Sequence, residues 1–212
     1  MKNADFKRVL KKHFAPKMKE LGYNQLTDIS WNKKGADNYV FSIAIDFGSG
    51  GGYCHLEFGI HLDFIPLGYG TEKPILEKTN PMMSMFRGWL TNTLNDRHDF
   101  IYEDKEGAIL ICDYLFWAVQ DAEETHFAQY QHFPAPFAAI TVDDLKNDVS
   151  YGKFRFPGDF HPALQLARIN LFLGNQARAN EFADYGISLI TDYRGSGLIP
   201  HFEKIKEGVL YY

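Results

Sequence analysis

The sequence predicts an α+β fold: an N-terminal helix packed on an antiparallel sheet of about four strands, followed by helices and a C-terminal helical hairpin. Three observations predict it. Apolar residues over 3–21 recur at spacings of three and four, the period of a helix with one buried stripe. Over 39–64 the period drops to two on either side of a glycine run, the pattern of paired strands. From Gly107 onward the helical period returns in several segments.

The first helix presents Phe6, Val9, Leu10, His13, Phe14, Met18 and Leu21 on one side. Asn3 or Asp5 can cap its start, and Gly22 sits where a helix stops. Pro16 has no N–H to give and is expected to kink the helix or divide it. The opposite face carries six basic residues between Lys7 and Lys19, which reads as a solvated surface.

Tyr39, Phe41, Ile43, Ile45 and Phe47 then alternate with smaller or polar residues. Gly48-Ser49-Gly50-Gly51-Gly52 interrupts the run, and alternation resumes with Cys54, Leu56, Phe58, Ile60, Leu62 and Phe64. The spacing predicts an antiparallel hairpin with strands near 39–47 and 53–64, its apolar face turned toward the first helix. A long loop follows over 66–81, punctuated by Gly68, Gly70, Pro74 and Asn80-Pro81. Met85–Leu90 and Phe100–Tyr102 are short enough and apolar enough for two more strands.

From Gly107 to about His132 one long or two consecutive helices are expected, ended by Pro134 and Pro136. Thr141-Val142-Asp143-Asp144-Leu145 reads as a short capped helix. A linker rich in glycine, proline and aromatics spans 150–162. Beyond it, helices near 162–173 and 177–190 meet at Gly174-Asn175. Ala163, Ala167, Ala177, Ala179 and Ala183 allow their close approach, and the pair resembles a single tetratricopeptide-like unit. Residues 195–212 read as a docked tail. The expected division is therefore an α+β domain over 1–149 and a helical appendage over 150–212 packed on it.

A chain of 212 residues buries roughly 70 % of its unfolded surface and needs neither metal nor disulfide to fold. With 45 % hydrophobic and 23 % charged residues it has a globular composition. The 18 Phe, 12 Tyr and 3 Trp exceed ordinary usage; they fill a core or anchor a recognition surface. A net charge of −5 disfavours general nucleic-acid binding and suits a basic partner. Cys54 and Cys112 have no metal or disulfide spacing. No apolar run reaches the ~18 residues of a membrane span, and the opening residues lack an apolar signal core. The expectation is a cytoplasmic protein that touches neither membrane nor nucleic acid.

No cofactor is implied. The glycine run lacks the Gly-Lys-Ser/Thr of a phosphate loop, and Tyr53 stands where a dinucleotide fingerprint needs glycine. One constellation carries chemistry. With the even positions of the second strand facing the core, His55, Glu57, His61 and Asp63 share the other face, on either side of Gly59. Same-face neighbours lie ~7 Å apart, so imidazoles and carboxylates there can converge on a metal or form an acid–base set. The alternative is an ordinary solvated face of an antiparallel sheet. No paired zinc spacing occurs among the other histidines, no Gly-x-Ser-x-Gly elbow exists, and Cys112 lies in an apolar run that suits an inert thiol.

Phe6-x3-Leu10, Leu21-Gly22-Tyr23, Trp31 and the hairpin from Tyr39 to Asp63 together resemble a large bacterial family of uncharacterised domains. The stretch Tyr130 to Leu145, with Pro136-Phe137 before a short capped helix, is similar to the family's later part. The resemblance covers about two thirds of the chain and departs only in Tyr23, where the family has Phe more often. It implies an exposed tryptophan at position 31, the fold above and a bacterial source. It carries no activity and no site residue. Two functions are in view. One is a non-enzymatic accessory or immunity-like protein that binds another protein. The other is a small hydrolase or metal-dependent enzyme working through His55, Glu57, His61 and Asp63.

Overall fold

The computed structural model describes residues 1–68, 70–90, 98–147, 160–191 and 193–212. Helix α1 (Asn3–His13) and helix α2 (Ala15–Glu20) divide the helix of the sequence pattern, and the break falls at Phe14, with Pro16 in the first turn of α2. Neither Asn3 nor Asp5 caps α1. The cap position is Lys2, Asn3 donates to the Gly48 carbonyl at 3.1 Å, and Asp5 pairs with Arg8. Gly22 closes α2 at φ +84°, a conformation open to glycine at little cost.

Two short strands come next, β1 (Asn24–Thr27) and β2 (Ser30–Lys34), which the alternation pattern did not single out. The hairpin of β3 (Tyr39–Phe47) and β4 (Tyr53–Leu62) pairs as expected, with Tyr39 opposite Leu62 and Phe47 opposite Cys54. Strands β5 (Phe86–Leu90) and β6 (Asp99–Ile101) both line the far side of β4, end to end. Among the described residues the sheet is thus six-stranded and antiparallel, in the order β1-β2-β3-β4-β5 with β6 also on β4.

Helix α3 (Lys105–Thr125) starts at the Asp104 cap and a 3-10 turn continues it to Tyr130. Helix α4 (Val142–Lys146) carries the expected capping box between Thr141 and Asp144. Helices α5 (Phe160–Phe172) and α6 (Gln176–Ser188) form the hairpin, with Gly174 at φ +75° and Asn175 capping α6. The docked tail over 195–212 contains a further helix, α7 (Ile199–Lys206), which packs on α6 and α5. Of the linker over 150–162, residues 150–159 lie outside the described residues, and 160–162 already belong to α5.

The inner face of the sheet builds the core. Phe6, Leu10 and Phe14 of the N-terminal helices lie in it, and the Phe14 ring meets Trp31 edge-on at 5.1 Å. Trp31 is therefore buried, against the exposure implied by the family pattern, because β2 lies inside the sheet between β1 and β3. The first helix does not cover the inner face alone. Phe41 stacks on Phe127 at 4.5 Å, Phe58 on His126 at 5.5 Å, and Tyr39 meets Tyr130 and Phe137. Glu123 of α3 ties helix to sheet, accepting hydrogen bonds from Tyr23 at 2.6 Å and Lys33 at 2.7 Å. Burial first, then the Glu123 charge, holds the Tyr23 hydroxyl well above its ordinary pKa, so it stays a donor.

The C-terminal helices join this core. The rings of Phe64 and Phe172 stack 3.6 Å apart, and Arg178 donates to the carbonyls of Ala138 and Ile140. Ala163, Ala167, Ala179 and Ala183 are buried between the helices, while Ala177 is exposed. Gly186 admits α7: a Cβ there would stand 2.3 Å from the Phe202 ring. Gly186→Ala is expected to cost about 1–3 kcal/mol by overpacking. Chemical denaturation checks this, with Gly197→Ala, where nothing lies within 4 Å, as the neutral comparison.

Candidate functional site

The outer face of the sheet is built from Val40, Ser42, Ala44 and Asp46 of β3 opposite His61, Gly59, Glu57 and His55 of β4. The register is the expected one, yet this face is neither uniformly wet nor a single site. It divides at Gly59.

On one side, the described residues between Asp63 and Phe86 fold down and cover it. Asn32 donates to the carbonyls of Leu76 and Thr79 at 2.7 and 3.1 Å, and the hydroxyls of Ser42 and Ser84 meet at 3.0 Å. Gly59 makes this approach possible, since a Cβ there would lie 2.4 Å from Ser84 Oγ and 2.6 Å from Ser42 Oγ. His61 is fully buried beneath this cover. Its Nδ1 accepts the Met85 N–H at 3.1 Å, which places the ring proton on Nε2, and Nε2 donates to the Ile65 carbonyl at 2.7 Å. Burial lowers its pKa to about 4, so the ring is neutral. Both nitrogens are engaged in holding the covering loop, and neither has a lone pair free for a metal. Asp63, at the turn beyond β4, lies 3.5 Å from Lys34.

On the other side the face is open. Glu57 is opposite Trp89 of β5, His55 is opposite Asp99 of β6, and Tyr53 is opposite Ile101. The Trp89 indole is 53 % exposed, Ile101 54 % and Tyr53 39 %. Trp89 is fixed from two directions. Its ring stacks on His55 with centroids 5.4 Å apart and planes 19° apart, and its Nε1 donates to Glu57 Oε1 at 3.1 Å. Tyr53 meets His55 edge-on at 5.4 Å. His55 Nδ1 lies 3.3 Å from Asp99 Oδ1, an ion-pair distance without hydrogen-bond geometry. Exposed Asp46 stands opposite His55 on its other side.

The four sequence candidates are therefore separated: His55 and Glu57 on the open aromatic patch, His61 in the core, Asp63 in a surface pair. Among the described residues no group of three or more His, Cys, Asp and Glu is placed to hold a metal ion. His55 beside Asp99 has the makings of an acid–base pair, but among the described residues it makes no hydrogen bond to a hydroxyl or thiol that it could activate. Cys54 is buried on the inner face, where burial pushes its thiol far up, and burial pushes Cys112 up to about 12. Neither is a nucleophile in this state. Trp89, Tyr53 and Ile101 were not singled out by sequence. The signal was available, since each lies across from, or on the same face as, the polar residues of β4.

Among the described residues no helix is long and apolar enough to cross a membrane. Compared with protein-family models, curated proteins and solved structures, the chain matches none.

Proposed function

We propose that the chain is a non-enzymatic binding protein, of the accessory or immunity-like kind, acting in the cytoplasm. It takes a basic segment of another protein on the open half of its sheet. The observation that carries this reading is Trp89, an exposed indole held in one position by His55 and Glu57. A tryptophan already ordered before binding loses little freedom on contact, which is why such residues dominate interface energies. Tyr53 and Ile101 extend the apolar surface, while Asp46, Glu57 and Asp99 give it a negative border. A lysine or arginine laid across the indole gains a cation–π contact and a carboxylate neighbour together. The net charge of −5 acts in the same direction over longer range.

Capture from the native host's extract on immobilised wild-type protein, with Trp89→Ala in parallel, tests this. The expected result is loss of the specifically retained proteins by roughly 30-fold in affinity, the effect of a hot-spot residue worth about 2 kcal/mol. Stability should change little, since the ring is half exposed. Equal retention by both proteins would overturn the reading. So would stoichiometric zinc, manganese or iron in untagged protein that disappears in His55→Ala, which would favour the metal-dependent enzyme instead.

A further inference from the structure

We propose that the chain forms a two-fold dimer in which the free edge of β5 pairs with the same edge of a second copy. Strand β5 ends the sheet, and among the described residues the backbone of residues 87–90 bonds to no strand but β4. An open edge of this kind is a template for another strand, and proteins that stay apart blunt it with a proline or a bulge. The opposite edge of the sheet is blunted in that way. Strand β1 is irregular between Gln25 and Thr27, where the register shifts, and both residues are exposed and polar. Strand β5 has neither device: its five residues contain no proline and pair with β4 in unbroken register.

The order of residues on β5 selects the occupant. Arg87 and Trp89 are its outer-face residues, opposite Gly59 and Glu57 of β4, and both are exposed. In an antiparallel pair with its two-fold axis at Gly88, Trp89 of each copy faces Arg87 of the other. Leu90 then faces Phe86 of the second copy on the inner side, and Gly88 puts no side chain at the axis. Moving the axis to Arg87 would oppose two guanidinium groups. Moving it to Trp89 would leave Arg87 without a partner on the strand. The single charge on this edge is thus matched by self-pairing, in two cation–π contacts related by symmetry.

Both groups are placed for that contact. The Arg87 Nη1 donates to the Met82 sulfur at 2.8 Å, and among the described residues no carboxylate pairs with it. The groups that fix Trp89, His55 and Glu57, both belong to β4, so they hold the indole from the side away from the free edge. Met82, 61 % exposed beside Arg87, is carried toward Trp89 of the second copy and adds apolar surface to the contact.

Sedimentation of the full chain at rising concentration tests this. The expected result is a reversible dimer, with the β5 amides that face the free edge exchanging more slowly as it forms. Arg87→Ala should weaken the dimer by about 5- to 30-fold, the worth of two exposed cation–π contacts. The fold should survive that change, since the side chain is exposed. A monomer at millimolar concentration would overturn the pairing. So would a dimer whose β5 amides exchange at an unchanged rate, or whose Kd is the same in Arg87→Ala. The outcome is separable from the capture proposed above. A dimer that retains no host protein would uphold the pairing and overturn the capture, and a monomer that retains them would do the reverse.

Discussion

Phe14→Ala is expected to lower the unfolding free energy by about 3–5 kcal/mol, the range for deleting a fully buried ring. Phe14 sits at the junction of α1 and α2, has no exposed surface and packs edge-on against Trp31. Its loss opens a cavity between the N-terminal helices and β2, and it leaves Trp31, whose Nε1 already lacks a partner, with one face unpacked. Lys11→Ala, on the exposed side of α1, should change stability by less than about 0.5 kcal/mol. Urea unfolding of both variants checks the pair, and equal losses would refute the assignment of the buried face.

His61 should make the stability strongly dependent on pH. Burial, opposed by the Ile65 hydrogen bond and aided by the Arg168 charge, sets its folded pKa at about 4. An unfolded chain takes up that proton below about 6.5. Between these values the unfolded state binds more protons, so stability rises with pH. The contribution is fully present above about 6.5 and is lost as pH falls to about 4, a change of about 3 kcal/mol. Denaturation of wild type and His61→Gln across this window checks it. The wild-type curve should fall more steeply, and parallel curves would show that His61 is not the buried neutral ring described above.

Much of the fold was legible because the elements concerned are long or chemically marked. Nine residues of alternation in β3 and ten in β4 leave one register that buries the apolar face. Pro16, the Thr141–Asp144 box and Gly174-Asn175 each mark a boundary by a definite backbone requirement. Strands β1 and β2 were missed for the opposite reason. They are four and five residues long, and two polar residues of β2 are buried, Ser30 beside Thr27 and Asn32 beneath Leu76 and Thr79, so no alternation of polarity appears. Helix α7 spans eight residues with a proline in its first turn and resembled an irregular tail.

The candidate site was legible only as a face. Alternation told which way His55, Glu57 and His61 point, but not what lies over them. The covering chain from Asp63 to Phe86 has no periodicity from which its path could be read. Gly59 was the one local sign, since a glycine inside a strand often marks close approach of another segment. The burial of Arg168 in α5 gave no sign at all, because an arginine in a helix ordinarily reads as solvated.

Strand β4 divides into a buried scaffold at His61 and, beyond Gly59, the partly buried pair His55 and Glu57 beneath the exposed Trp89. Urea unfolding of His61→Ala beside the double variant His55→Ala/Glu57→Ala tests it most directly. Removing His61 leaves the Ile65 carbonyl and the Met85 N–H without their partner, and should cost at least about 2 kcal/mol. The double variant removes two partly buried side chains that hold the exposed Trp89, with no buried backbone group depending on them, and should stay within about 1 kcal/mol of wild type. Equal losses, or a larger loss in the double variant, would contradict the account.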